Sequence, residues 1–346
     1  MKFKNKLIAI LADTHFGVHQ NSETWHQVAK DFAVNFKKDL IKRGIQDIVI
    51  PGDIFHNRNE ISVNTIHVVN EIFNIWKEFN IFIIPGNHDT YYKDRADVHS
   101  LGLLNGWDNI FVFSEPTSIT AFDKQISFCP WAGDYTKLPY SDILFGHFAI
   151  NNFKLTSNII CDNGIESSDI LKYAKFVITG HFHATDIRKY DNGTIMYIGC
   201  PYEMYWGDYG DDKGYYIFNL ETMEYEFIIN KLSPRHKKLK LSEMVAAGKI
   251  PDYWESEIYN NIVSFEIDRI IDTNKLSILC TKLQSMGPMS FKVNHNIADN
   301  LTAPGASLSI DGIDIQSSIR EFIELLDIPN KKDVMEYTID LYNNCI

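Results

Sequence analysis

The sequence predicts an α/β chain in which helices pack against a largely parallel sheet, with a smaller α+β unit behind it. Three observations carry that expectation. Apolar, β-branched runs alternate with stretches of helical spacing in a β-α-β-α-β opening. Each of those runs stops at a short turn rich in Asp, Asn and His. The chain has 346 residues and 45% hydrophobic content, enough to bury a large core and more than a single compact domain usually needs.

In chain order, Leu7 to Leu11 reads as a strand ending in Ala12-Asp13-Thr14-His15. A helix follows, with Ser22 placed to cap it, Trp25, Val28, Ala29, Phe32, Phe36 and Leu40 on one face, and Gly44 where a C-cap belongs. Ile48 to Ile50 is a strand ending in Pro51-Gly52-Asp53-Ile54-Phe55-His56. Ser62 can cap a second helix carrying Ile66, Val69, Phe73 and Trp76, which leads into Ile81 to Ile84 and the turn Pro85-Gly86-Asn87-His88-Asp89. After Val112 the strands shorten and aromatics rise, as in a mixed or antiparallel second half. Ile143 to His147 and Phe176 to His183 repeat the strand-then-ligand grammar, and Thr194 to Ile198 and Gly214 to Asn219 read as closing strands.

Composition narrows the classes. No window approaches the roughly 18 consecutive apolar residues of a membrane span. The basic start, Met1 to Lys6, leads through a short run to Asp13, so a first strand is expected there and not a signal peptide. The five cysteines, Cys129, Cys161, Cys200, Cys280 and Cys345, are scattered with no C-x-x-C pair, which argues against a disulfide framework or a thiolate zinc site and for a reducing cytoplasm. The net charge of -12 is the wrong sign for a standalone nucleic-acid binder.

The ligand-rich turns follow the carboxyl ends of strands, and in an α/β sheet such ends share one edge. Asp13 and His15, like His181 and His183, are spaced i, i+2, which in extended backbone puts both side chains on one face. The set Asp13, His15, Asp53, Asn87, His147, His181 and His183 offers oxygen and nitrogen but no sulfur, which favours Mn²⁺, Fe²⁺ or Zn²⁺. It exceeds what one ion needs, and Asp53 is free to bridge two. Two cations roughly 3.5–4 Å apart can clamp a phosphodiester and ionise a shared water. His88, beside Asn87, is then free to face the phosphate, as a proton donor or as a stabiliser of charge. His19, His26, His67, His99 and His236 lack such context and read as surface or structural, and Trp131 as packing. Tyr91 and Tyr92 either stack on a base or fill the cleft wall.

Asp-x-His, Gly-Asp, Gly-Asn-His-Asp, Gly-His and Gly-His-x-His in that order resemble the calcineurin-like metallophosphoesterases. More narrowly, Gly52 to His56 and the stretch from Gly199-Cys200-Pro201-Tyr202 to Lys213-Gly214-Tyr215 resemble the nuclease subunit of DNA double-strand-break repair, in its short phage recombination-endonuclease form. The resemblance covers about residues 7–220. It implies a β-sandwich core flanked by helices, a small α+β capping domain and C-terminal helices. It implies one metal on Asp13, His15, Asp53 and His183, a second on Asp53, Asn87, His147 and His181, His88 as the catalytic histidine and His56 assisting it. Manganese is the metal expected first, DNA the substrate, and a coiled-coil ABC-type ATPase the partner, with a homodimer left open. The place of action is the cytoplasm, the host's if a phage encodes the chain. A phosphoesterase for nucleotides or phosphoproteins, or a scaffold of the same fold, are the rival expectations.

The expected domains are 1–230 for the nuclease, 231–299 for the cap, 300–313 as linker and 314–346 as a helical segment. Lys231 to Lys240 is the densest basic run, and reads either as a solvated linker or as a phosphate-contacting strand with Arg235, Lys237 and Lys238. Ile262 to Ile267 is an expected strand and Asn274 to Met286 a helix. Ile315, Ile319, Phe322, Ile323 and Leu326 form one helical stripe, and Val334, Tyr337, Thr338 and Leu341 another after Pro329. They suggest a docking module; the alternative is that both fold back onto the cap.

Overall fold

The computed structural model describes residues 2–156, 159–296, 332, 334, 335, 337 and 338. From the N-terminus, β1 (Leu7–Ile10), β2 (Asp47–Pro51), β3 (Asn80–Ile84) and β4 (Ile110–Val112) lie parallel in that order. The helices Glu23–Arg43 and Val63–Ile75 make the first two crossovers. Ser62 accepts from the Thr65 amide as an N-cap, worth about 1 kcal/mol. Gly44 closes the first helix in the left-handed region, as its sequence position suggests, whereas Ser22 makes no side-chain capping bond.

The second sheet holds β5 (Thr117–Ala121), β6 (Lys124–Cys129) and β7 (Ser141–His147). After the small hairpin β8 (Lys154–Thr156) and β9 (Ile159–Ile160) come β10 (Ala174–Gly180), β11 (Asp186–Tyr190) and β12 (Gly193–Tyr197). Its order is β11-β12-β10-β7-β6-β5, with parallel pairs in the middle and an antiparallel pair at each edge. The second half of the core is therefore mixed. The chain then returns to the first sheet as β13 (Gly214–Asn219) and β14 (Tyr225–Ile229), β13 pairing antiparallel with β1.

Strand alternation decides the layers. Ile8, Ile10, Val49, Phe82 and Ile84 meet Phe128, Phe145, Ile178 and Met196 of the other sheet, with Phe113 stacked on Phe128 at 4.0 Å between centroids. Ala9, Leu11, Ile48, Ile50, Ile81 and Ile83 face the other way, onto Phe32, Phe36, Phe73 and Trp76 of the helices. A third cluster, with Leu144, Val177 and Tyr197, backs the second sheet. The result is a β-sandwich flanked by helices, and not one sheet.

Beyond the sandwich, β15 (His236–Lys240), β16 (Ile262–Ile267) and β17 (Ser290–His295) form a three-stranded sheet with β16 central. Helices Leu241–Ala247, Trp254–Ile258 and Thr273–Gln284 accompany it, around buried Trp254, Val263 and Phe265. The basic run is thus in part a strand and not a solvated linker. Residues 2–266 and 271–294 belong to one compact unit; 267–270 and 295 onward belong to another. The expected linker and the first apolar stripe lie outside the described residues, as does Leu341 of the second. Lys332, Val334, Met335, Tyr337 and Thr338 have helical backbone, with the Thr338 hydroxyl donating to the Val334 carbonyl at 2.7 Å. Among the described residues no helix is long and apolar enough to cross a membrane.

Candidate metal centre

Two sheets, rather than one, deliver the candidate ligands. Asp13 and His15 follow β1, Asp53 follows β2, and Asn87 and His88 follow β3, all from the first sheet. His147 is the last residue of β7, and His181 and His183 follow β10, from the second. The i, i+2 argument from extended backbone does not hold, because Asp13, His15, Asp53 and His181 sit at positive φ of 55°, 44°, 55° and 94°. The strands have ended, and tight left-handed turns aim the side chains. Such backbone is costly for non-glycine residues and persists where the surroundings enforce it. Glycines admit the close approach: a Cβ on Gly86 would strike the Asp53 carboxylate, and one on Gly52 the His147 ring.

Asp53 lies at the centre. Its Oδ2 is 3.3 Å from His147 Nε2 and 3.7 Å from His15 Nε2, while its Oδ1 accepts the His88 amide at 2.8 Å. On one side Asp13, His15 and His183 bring potential ligand atoms together, with His15 Nε2 3.1 Å from His183 Nε2. On the other, Asp53, His147 and His181 do so, and Asn87 Oδ1 lies 3.0 Å from His147 Nε2 and 2.7 Å from His181 Nδ1. Asp13 also accepts the His181 amide at 3.1 Å, tying the two turns together.

Whether these residues suit cations can be read from His147. Its Nδ1 donates to the Pro51 carbonyl at 2.8 Å, so in the neutral ring Nε2 carries a bare lone pair. That lone pair faces Asn87 Oδ1 and Asp53 Oδ2, both acceptors. Acceptors converge in this way around a positive charge, and the donor set fits divalent cations. Charge tells the same story. Burial alone would raise Asp53, but His147 and His15 overcome it and hold the carboxyl below the usual range. Asp13 is raised by burial and by Asp53, against His147. Burial and His147 push His181 down to about 3, and burial takes His183 to about 4 against the pull of Asp208. Burial opposes a charged His147, yet Asp53 and Asp13 lift it to about 9. The fold thus concentrates buried carboxylate that protons or metal ions must balance.

His88 stands beside these clusters. Its Nδ1 donates to the His56 carbonyl at 2.6 Å, and its ring is perpendicular to His15 at 4.7 Å between centroids. His56 stacks near it at 5.6 Å, with the Tyr205 hydroxyl 3.5 Å from its Nε2. Tyr91 and Tyr92 are exposed, with Arg95 over the Tyr92 ring at 3.9 Å. Arg235 is paired with Glu203 and Asp212, and Lys237 with Glu257 at 2.6 Å, while Lys238 lies 4.8 Å above the Tyr209 ring.

Several residues outside the expected ligand set shape the site. Asp89 accepts the amides of Ile54, Phe55 and Gly86 at 3.2, 2.9 and 2.9 Å, clamping the β2 and β3 turns together. Buried Lys213 donates to Asp208 at 2.8 Å and to the His183 carbonyl at 2.7 Å. His183, Cys200 and Asp208 also cluster, but burial keeps the Cys200 thiol protonated and Asp208 is held by Lys213, so that group supports the centre from behind. Trp131, expected as packing, lies 5.1 Å from the His181 ring. Asp89 closes Gly-Asn-His-Asp, and Cys200 and Lys213 lie in the stretch that resembles the repair nuclease, whereas Asp208 stands in no motif.

A β-sandwich with acid, amide and imidazole side chains gathered at its strand ends defines a metal-dependent phosphoester hydrolase. The chain belongs to the calcineurin-like phosphoesterase family, whose description matches residues 6–185. Membership implies a centre for two divalent metals. Over 96% of its length the chain is 27% identical to exonuclease subunit 1 of Enterobacteria phage T4, of which it covers 97%. A solved archaeal phosphodiesterase is similar at 15% identity and a TM-score of 0.38, over 65% of this chain and 99% of that one. A dimetal phosphatase from Danio rerio is similar at 12% and 0.40, over 62% and 93%.

Proposed function

We propose that the chain is the nuclease subunit of a DNA repair and recombination complex, hydrolysing phosphodiester bonds at a two-metal centre with Mn²⁺ as the working ion. The observation that carries this reading is the match to an exonuclease subunit along 96% of the chain, well beyond the residues of the family match. Asp13, His15, Asp53 and His183 would hold one cation, and Asp53, Asn87, His147 and His181 the other. Bound there, divalent ions supply Lewis acidity and an ionised water at neutral pH. The sulfur-free donor set suits Mn²⁺, with Fe²⁺ and Zn²⁺ as alternatives.

The chain's own groups do the rest. With Nδ1 donating to the His56 carbonyl, His88 keeps Nε2 for the substrate; only the imidazolium form carries a proton there, which then serves the leaving oxygen or offsets developing charge. His56 and Tyr205 form the wall behind it. Tyr91, Tyr92 and Lys238 are candidate DNA contacts, and Arg235 and Lys237 weaker ones because carboxylates already hold them. Residues 1–230 would form the nuclease domain, 231–299 the DNA-contacting cap, and 314–346, after a linker, the docking segment for a coiled-coil ABC-type ATPase. Self-association as a dimer is compatible with this assembly, and the cytoplasm is its place.

The deciding experiment is hydrolysis by the purified chain, with Mn²⁺, of single-stranded DNA, duplex DNA and a small phosphodiester. Cleavage of DNA strands is the expected result. Activity confined to nucleotides or phosphoproteins would replace the reading with that of a different phosphoesterase, and none on any substrate would favour a scaffold.

A further inference from the structure

Resting on the nuclease reading, we propose that the cavity beside His56 is a base-binding subsite. It takes one unstacked nucleobase of the strand whose phosphodiester lies at the metal centre. The cavity measures about 380 Å³, and its walls include His19, Trp25, Tyr205, Trp206, Met289 and Lys292. That volume lies in the range of small-ligand sites, roughly 300–1,000 Å³. Flat aromatic walls with a cation at the rim suit a base, since every base offers a π-face.

The walls are built, not incidental. His19 lies against Trp25 at 4.8 Å and 25° between planes, and its Nε2 donates to the Met204 carbonyl at 2.8 Å. Three consecutive residues, His19, Gln20 and Asn21, adopt left-handed φ of 53°, 59° and 60° to bring that ring there. The turn starts four residues after His15, so the segment that supplies a candidate metal ligand also supplies this wall. Tyr205 joins the cavity to the centre, its ring 5.2 Å from His19 and its hydroxyl 3.5 Å from His56 Nε2. Its amide is fixed on Asp208 at 3.0 Å, and Asp208 is bound to Lys213, which also holds the His183 carbonyl. One buried ion pair thus sets the spacing of cavity wall and metal centre. Trp206 stands half-exposed with His236 4.7 Å beneath it and the Lys238 ammonium 5.9 Å away.

The test compares the full-length protein with Trp206→Ala and Trp206→Phe on three substrates in Mn²⁺. These are a single-stranded oligonucleotide, the same strand with an abasic analogue placed in turn on each side of the scissile bond, and bis(p-nitrophenyl) phosphate. A lost base–aromatic stack costs on the order of ten-fold in affinity. Trp206→Ala should therefore raise KM on the oligonucleotide about ten-fold more than on the base-free diester, and Trp206→Phe should recover most of it. The abasic strand, at one of the two positions, should raise KM for the wild type to the same degree and show no added loss in Trp206→Ala. Metal-free protein should quench 2-aminopurine at that position, and Trp206→Ala should not. An equal loss on all substrates, or none, would overturn the subsite while leaving DNA cleavage standing. Wild-type hydrolysis of the small diester with no cleavage of DNA would instead remove the nuclease reading and the subsite with it.

Discussion

Asp53 is the residue through which both halves of the centre communicate, because Oδ2 approaches His147 and His15 while Oδ1 holds the His88 amide. Asp53→Ala should therefore empty both metal positions and abolish hydrolysis; metal analysis that still finds one ion per chain would show that it does not bridge. His88 is anchored by its other ring nitrogen; its ring gathers with His15 and His56, and it stands outside the clusters of Asp13, His15 and His183 and of Asp53, His147 and His181. His88→Ala should keep both metals and DNA binding while slowing turnover by roughly 10²–10⁴-fold, the range of a lost acid or charge stabiliser. Loss of metal from that variant would make His88 a ligand. Asp13, His15, Asp53, Asn87, His147, His181 and His183 were visible in the sequence because each stands in a short polar turn after an apolar run, and the structure brings them together. His19 was not, because nothing in His19-Gln20-Asn21 announces a left-handed turn; positive φ at non-glycine residues leaves no mark in composition. Asp208 was equally silent, since it stands in no motif and its pairing with Lys213, itself inside the family-like stretch, shows only once the fold buries both.

At the scale of elements, the opening β-α-β-α-β was legible because helical periodicity and apolar runs are local signals, and the helices end where Arg43 and Ile75 precede their caps. Which sheet a later strand joins was not, because period-2 patterning says how a strand faces and not whom it pairs with. β13 returns to β1 while β7 and β10 build the second sheet, so the ligand turns meet across a sandwich instead of along one edge. What holds the second-sheet turn in register is the ion pair behind it. Burial opposes both charges, but Lys213 keeps Asp208 below the usual carboxylate range and Asp208 helps hold Lys213 above the usual amine range. Asp208 with a depressed folded pKa contributes stability above its unfolded value of about 3.9, lost as pH falls through the folded one. Lys213→Met leaves the carboxylate buried and alone and frees the His183 carbonyl. It should cost about 3–5 kcal/mol and weaken metal binding. Asp208→Asn with Lys213→Met should recover part of the stability but not the metal affinity. Urea unfolding and metal titration measure the two effects separately, and equal stability of the single and double variants would refute the pairing argument.

For the whole molecule the balance of charge is the governing fact. A net charge of -12 repels a polyanion, and the basic run offers less than its composition suggests because Arg235 and Lys237 already face carboxylates. The chain alone should therefore hold DNA weakly, with a shallow dependence on salt because few phosphates are neutralised, and most of the grip should come from an ATPase partner. The apolar stripes at 314–346 are where that partner is expected to dock. Five apolar residues in the first stripe, and Val334, Tyr337 and Leu341 in the second, at about 25 cal/mol per Å² buried, suffice for a helix-in-groove contact. Ending the chain at Asp311 should leave metal content and Mn²⁺-dependent cleavage of short single strands nearly unchanged. It should abolish co-purification with the ATPase and any ATP-stimulated cleavage of duplex DNA. A truncated chain that still bound the partner with full affinity would move the docking surface elsewhere, and one that no longer folded would assign the segment to the protein's own core.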